Sequence, residues 1–428
     1  MTDELKQKAV ALGQRGHTRI EVLDAVMGSG KTQGIIQWML KNPNNKYLYI
    51  SPMLTEVEDR IPKACEALEF TFPNTEEYDT KSRHLLKLLR DGCNVSFTHS
   101  LFSELSQKHL DEIKQQRYVM IIDEEVSLIE PYKGKYKKGD ILSLEAAGHI
   151  KVDEENLGKV EWLWDEMEEG TQYSDLKRLC SIDMLYCSKR SRDMMVTQLP
   201  MALVESAERT IILSYLFKGS VMESFLKLKG LEVVDFTEVQ LMKDTPTVLK
   251  QAKELINFCS LPSTNAVKNY GMTNTWYTTT ATKDQLKKVG AAIRNVYRKV
   301  GKENLLITLP KDSTLKEIKS KKNARLVIPK EVNVDDIFLY CGARATNDYA
   351  NKTACLHAYN RFVNTVVKAY LQDYGAELDA IPDDDQFALS EMVQWIWRTR
   401  IRNDKPVDVY ILPQRMEKLL VKWLDTGN

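Results

Sequence analysis

The sequence predicts an α/β protein with two parallel-sheet domains in tandem, the first carrying a helical insertion. Two observations carry this. Short apolar, β-branched runs alternate with helical stretches along most of the chain, and near-continuous apolar strands between helices mark a parallel sheet covered on both faces. This rhythm falls into two blocks, interrupted once, between about residues 127 and 205, by a polar and charge-rich stretch. The predicted organisation is therefore a first domain over 1–236 with its insertion at 127–205, a linker over 237–269 containing Pro246, Pro262, Ser263 and Asn265, and a second domain over 270–428.

The strands of the first block read as Ile20–Leu23, Tyr47–Ile50, Val119–Ile122 and Thr210–Leu213. Those of the second read as Asn304–Ile307, Ile337–Tyr340 and Val407–Leu412. The chain of 428 residues is long enough for two to three domains with real cores. No apolar run reaches the roughly 18 residues of a membrane span. The N-terminus, beginning Met1-Thr2-Asp3-Glu4, is polar, so a cytoplasmic location is expected. The seven cysteines, at 65, 93, 180, 187, 259, 341 and 355, form no C-x-x-C pair and read as reduced thiols. With no histidine cluster either, no transition-metal site is expected. Sixty basic residues balance sixty acidic ones, which argues against a protein that simply coats DNA by neutralising phosphates.

The strongest local signal is Asp24-Ala25-Val26-Met27-Gly28-Ser29-Gly30-Lys31-Thr32, placed after a strand and opening an amphipathic helix with Ile35, Ile36, Met39 and Leu40. Gly28 and Gly30 let consecutive N–H groups, with that of Ser29, face one anion, and the helix N-terminus adds positive partial charge. Lys31 neutralises the β- and γ-phosphates and the Thr32 hydroxyl ligates Mg²⁺. Ala25 stands where this pattern ordinarily has its first glycine. The apolar strand Val119–Ile122 ends in Asp123 and Glu124, one acid for the Mg²⁺ shell and one to orient and deprotonate a water. Glu125 reads as a bystander. ATP and Mg²⁺ are the implied cofactors, with Thr32 and Asp123 as the metal ligands.

In the second block, Gln394-Trp395-Ile396-Trp397-Arg398-Thr399-Arg400-Ile401-Arg402 lies on a helix predicted to start near Phe387. At helical spacing Gln394, Arg398 and Arg402 share one face and Arg400 points elsewhere. Such an arginine row supplies fingers for a γ-phosphate.

Together these stretches resemble a superfamily 2 helicase of the D-E-x-x type. Ala25–Thr32 looks like motif I, Asp123-Glu124-Glu125 like motif II, and Gln394–Arg402 like motif VI. Ser51-Pro52-Met53-Leu54 with Arg60 resembles motif Ia, and Phe97-Thr98-His99-Ser100 the next strand-binding motif. Leu213-Ser214-Tyr215-Leu216-Phe217 stands at motif III and Gly342–Tyr349 at motif V. The chain is similar more narrowly to compact helicases of phages and mobile elements. It departs where motif III lacks its Ala-Thr and where motif VI has Ile401 in place of its second arginine, for which Arg402 is preferred and Arg400 is second. No adenine-reading glutamine is evident near Gln7 or Gln14.

The resemblance implies two RecA-like domains that hydrolyse ATP in the cleft between them while holding single-stranded nucleic acid, DNA favoured over RNA. Pro52, Thr98, His99 and Ser100 are the candidate phosphate contacts in the first block; Thr308, Thr346 and Asn347 are those in the second. Two basic clusters, Lys133/Lys135/Lys137/Lys138 and Lys311 through Arg325, are weaker candidates. The insertion, with Trp162, Trp164 and a Tyr/Lys-rich stretch, reads either as a strand-separating surface or as a docking site for a replication or recombination protein. The competing functions are an ATP-gated clamp or remodeller that does not unwind DNA processively, an RNA helicase, and a single-site P-loop kinase; the second block with its arginines argues against the last.

Overall fold

The computed structural model describes residues 19–76, 78–165, 167, 170–310, 324–328, 330–332, 337–343 and 348–427. The chain divides into two compact units. The first comprises residues up to Asp24, Lys31–Gln240 and Val363–Asp383; the second comprises Ala25–Gly30, Leu241–Phe362 and Asp384 onward.

The first unit is built on a six-stranded parallel sheet. Its strands are β1 (Arg19–Asp24), β2 (Tyr47–Ser51), β3 (Val95–Thr98), β4 (Val119–Asp123), β10 (Arg209–Ser214) and β11 (Val233–Asp235), the intervening strands β5 to β9 belonging to the insertion. The order is β11-β1-β10-β4-β2-β3, every neighbour parallel. β2 is buried along its whole length, as strands covered on both faces must be. The helix Lys31–Lys41 covers one face through Ile35, Ile36, Trp38 and Met39. It stops where Asn42 caps the Trp38 carbonyl (2.8 Å) ahead of Pro43. Burial of each such aliphatic side chain contributes about 2 kcal/mol.

The stretch expected to be a helical insertion, 127–205, holds a sheet instead. It is a five-stranded antiparallel sheet, β5 (Ile129–Pro131), β6 (Ile150–Asp153), β7 (Lys159–Trp162), β8 (Leu185–Ser188) and β9 (Ser191–Gln198), in the order β5-β9-β8-β7-β6, with the helices Asp140–Ala146 and Ser174–Ser181 packed on it. Its own core holds Ile141, Leu144, Ile150, Leu176, Leu185 and Met195. The physical reason is one-sided burial. Along β6, Ile150 and Val152 are buried while Lys151 is exposed, so a short strand of period two reads as a charged, irregular stretch.

The second unit carries a four-stranded parallel sheet, β12 (Ile256–Phe258), β13 (Leu305–Thr308), β14 (Ala354–His357) and β15 (Val407–Ile411), ordered β12-β15-β14-β13. The helix Lys283–Val300 buries Leu286, Val289, Ile293 and Val296. Three boundaries differ from expectation. The predicted linker contains the helix Thr245–Leu255 and β12, which pairs with β15. The predicted strand at 337–340 makes a single parallel bridge, Phe338 with Ile307. The helix Thr365–Gly375 belongs to the first unit although its sequence lies in the second block: Val367, Tyr370 and Leu371 join the first unit's core. There the Tyr370 hydroxyl donates to the Leu157 carbonyl (2.7 Å) and that of Tyr374 to Cys187 (3.2 Å), while Asp373 accepts from Ser188 and from Arg190 (2.8 Å).

The seven cysteines are free thiols, five of them buried. Among the described residues no helix is long and apolar enough to cross a membrane.

Candidate functional site

Parallel sheets expose their useful backbone ends at the strand C-termini, and the candidate nucleotide site lies there. β1 ends at Asp24, the loop Ala25–Gly30 follows, and Lys31 starts the helix. Gly28 and Gly30 have φ of +82° and +91°, conformations that L side chains rarely adopt, so the curl of this loop depends on glycine. A Cβ at Gly30 would also stand 2.8 Å from Met242. Within the second unit, to which this loop is assigned, the Ser29 carbonyl accepts from the backbone N–H of Met242 (2.9 Å) and of Lys243 (3.2 Å). The Ser29 hydroxyl is fully buried with no hydrogen-bond partner among the described residues.

The first unit sets Lys31 among three carboxylates. Burial pushes its ammonium down to about 8, opposed by the charges of Asp123, Asp24 and Glu124. Asp123 ends β4, and burial, reinforced by the neighbouring Glu124, pushes its carboxyl up to about 7. Its Oδ2 accepts from the hydroxyls of Tyr49 (3.0 Å) and Ser51 (3.4 Å), alternate residues of β2 that face the same side. Its carbonyl accepts from Nε2 of His99 (2.9 Å), which places the proton on that ring nitrogen. Glu124 follows with φ +63°, an uncommon conformation for a residue with a Cβ and one that redirects its side chain out of the strand's alternation. Its N–H is bonded to the Leu213 carbonyl (3.1 Å), so β10 holds the turn.

Two contributors escape a reading of the sequence alone. Glu125, read there as a bystander, accepts from the Ser214 hydroxyl (2.7 Å), joining the acidic turn to the end of β10. Asp24 accepts from the Phe217 N–H (3.0 Å), fastening the loop after β10 to β1. The signal for both is adjacency of β1, β10 and β4, which sequence order does not reveal.

The candidate strand contacts of the first unit converge. Ser51 is in register with Thr98, so Pro52, Thr98, His99 and Ser100 gather at the C-terminal edge of β2 and β3. Thr98 caps the helix His99–Ser103 by accepting from Leu101 N–H (3.4 Å), and His99 holds Asp123. Ser100 is exposed. In the second unit Thr308 is fully buried at the end of β13, in register with His357. Thr346 and Asn347 lie outside the described residues, as do Gln7, Gln14 and most of the basic cluster beginning at Lys311. Lys133, Lys135, Lys137 and Lys138 are exposed on the connection between β5 and the helix Asp140–Ala146.

The shared face of Gln394, Arg398 and Arg402 is not present. The helix Asp384–Ile396 ends before Arg398, Thr399 is extended (φ −84°, ψ −172°), and Arg400–Asn403 forms a separate 3-10 turn. The Thr399 hydroxyl donates to the Ile396 carbonyl (2.7 Å), a local bond that competes with helix continuation. The Gln394 amide bonds Ser390 (3.0 Å) on its own helix. Arg398 is 9% exposed, Arg402 is exposed, and the Arg400 guanidinium donates to the Pro406 carbonyl. Helical spacing therefore no longer ranks Arg402 above Arg400.

Residues 250–424 match a family described as the YonV C-terminal Rossmann-like domain. The chain is 29% identical over 432 residues to the SPbeta prophage-derived uncharacterized protein YonV of Bacillus subtilis (strain 168), covering 95% of this chain and 99% of that protein. Among solved structures it is similar to S. tokodaii Xpd4, with 12% identity, 99% and 97% of the two chains covered and a TM-score of 0.49. It also matches S. cerevisiae Dbp5 in a complex with Nup159, Gle1, IP6 and ADP, with 11% identity, 99% and 88% covered and a TM-score of 0.33.

Proposed function

We propose that this protein is an ATP-driven nucleic-acid helicase or translocase that acts on DNA. The observation that carries the reading is Lys31 at the start of a helix after a glycine-dependent loop, facing Asp24, Asp123 and Glu124 at the ends of β1 and β4. Gly28, Ser29, Gly30, Lys31 and Thr32 would hold the phosphates of ATP. Three carboxylates against one ammonium leave excess negative charge in a desolvated site, which suits a divalent cation delivered with the nucleotide. Thr32 and Asp123 would hold Mg²⁺, which would neutralise charge on the phosphates. Glu124, turned out of the strand by its backbone, is the base that orients and deprotonates the attacking water. Arg398, with Gln394 nearby on the preceding helix, is the candidate for stabilising charge on the γ-phosphate. Pro52, Thr98, His99 and Ser100 form the strand-contacting edge of the first unit. His99 belongs to both sites, because it also holds the Asp123 carbonyl.

Steady-state hydrolysis of Mg-ATP with and without single-stranded DNA and RNA oligonucleotides tests this, alongside displacement of a strand from tailed duplexes. Hydrolysis that DNA stimulates and Lys31→Ala abolishes is expected. Absence of hydrolysis under all conditions refutes the enzyme, and equal rates with and without oligonucleotide refute the motor.

A further inference from the structure

Two lysines of the first unit are held down by burial. The ammonium of Lys31 is pushed down to about 8 against the pull of three carboxylates, and it belongs to the candidate nucleotide site. Lys229 is also pushed down to about 8, by burial alone, and no carboxylate pairs with it among the described residues. Its place is fixed by the end of the helix Val221–Leu228. The Lys229 N–H donates to the Phe225 carbonyl (3.1 Å), and Gly230 follows with φ +75°. The half-buried side chain lays Nζ over two rings, 4.8 Å from the centre of Tyr186 and 5.3 Å from that of Phe225. Phe225 belongs to the core of the parallel sheet, whereas Tyr186 lies on β8 of the antiparallel sheet, where Tyr370 meets its ring edge-on (6.5 Å, 74°). Lys229 therefore bridges the two sheets of the first unit through ring faces. Lys189, just past β8, lies 4.6 Å over the ring of Tyr374, but it is exposed. A desolvated amine on aromatic faces, with no anion to hold its charge, is the arrangement in which lysine becomes a nucleophile near neutral pH.

We propose that Lys229 is an acylation site: its amine takes an acyl group from a small activated donor, an acyl phosphate or an acyl thioester, and the modification loosens the antiparallel sheet from the rest of the first unit. The Nζ lone pair attacks the acyl carbonyl carbon and a C–N bond forms. The bond from that carbon to the phosphate oxygen or the thioester sulfur breaks, the leaving group departs with its electron pair, and the amine gives a proton to solvent. The product is a neutral amide. It is bulkier than the ammonium and has no charge for the rings of Tyr186 and Phe225 to attract. No step of this chemistry uses the phosphate loop or a nucleotide.

In the test, the full chain at pH 7 is exposed to acetyl phosphate, and separately to an acetyl thioester, and acetylation is followed by peptide mass spectrometry. With its amine at about 8, about 10% of Lys229 is free base at that pH, against about 0.03% for a lysine at the ordinary 10.5. Lower basicity and partial burial take back part of this gain, so acetylation of Lys229 is expected to be at least about tenfold faster than that of the exposed Lys151 and Lys189. Hydrogen exchange reads the consequence. Lys229→Gln, which imitates the amide, is expected to raise exchange in β8 by about 2- to 30-fold, the worth of a cation–π contact, while Lys229→Arg keeps a cation on the rings and leaves exchange near that of the parent. If Lys229→Gln does not fold, the acetylated parent is measured in its place. Labelling by one donor alone supports the site and identifies the donor. Slower labelling than expected with both donors overturns the site, and rapid labelling with unchanged exchange in β8 overturns the loosening.

Discussion

The helix Thr365–Gly375 comes from the C-terminal half of the chain yet is part of the first unit's core, and its removal from that core should loosen the insertion. Tyr370 is the residue to perturb, being fully buried with its hydroxyl bonded to the Leu157 carbonyl at 2.7 Å. Tyr370→Phe keeps the ring and leaves that carbonyl without its donor, which costs about 1–2 kcal/mol. In hydrogen exchange under conditions where opening is rapid and reversible, this is a rise of about 5- to 30-fold in the rate for the amides it protects. Tyr370→Ala empties the ring's volume and costs about 3–5 kcal/mol, limited by the local opening free energy. Peptide-resolved exchange by mass spectrometry reads both. Peptides spanning β8 and β9 are expected to lose protection in that order of severity, while β13 and β14 hold theirs. Loss of protection confined to the second sheet, or uniform across the chain, would refute the assignment of this helix to the first unit.

Glu124→Gln should bind nucleotide normally and hydrolyse it at least about 100-fold more slowly, since general-base assistance is worth that much or more; isothermal titration and steady-state rates check the two halves. Arg398→Ala should reduce kcat more than either Arg400→Ala or Arg402→Ala, because Arg400 is occupied with the Pro406 carbonyl and Arg402 is exposed; a larger loss in either of those two variants contradicts the placement. Burial raises the carboxyl of Asp373, but hydrogen bonds from Arg190 and Ser188 outweigh it and hold the group below its ordinary value of 3.8. Its contribution to stability is therefore complete above that pH and is lost as the pH falls below it, so acid titration of unfolding should show a shallower drop in Asp373→Asn than in the parent. Replacing residues 132–196 by a short Gly/Ser linker should leave DNA-stimulated hydrolysis intact and abolish strand displacement if the insertion separates strands; unchanged displacement assigns it to a partner.

The sequence by itself determined the parallel-sheet class. Strands buried on both faces are written as apolar runs, and a loop whose curl needs positive φ is written as glycines before Lys31; both signals are local. The stretch 127–205 stood apart in the sequence because it breaks the rhythm. Its sheet was not legible, since strands with one wet face carry charges at every second position and imitate a polar helix. The central strand β14 was also missed, as Ala354-Cys355-Leu356-His357 is too short and too small to stand out. Only the tertiary structure decided the end of the helix before Arg398, where the Thr399 hydroxyl bonds the Ile396 carbonyl and breaks a face that spacing alone would continue. It alone decided that Thr308 is buried and that Glu125 bonds Ser214. It alone also decided that residues 363–383 fold with the first unit. The burial of Thr308, the Glu125–Ser214 bond and the place of residues 363–383 depend on which strands and helices become neighbours, contacts between residues far apart in the chain, which no local pattern encodes.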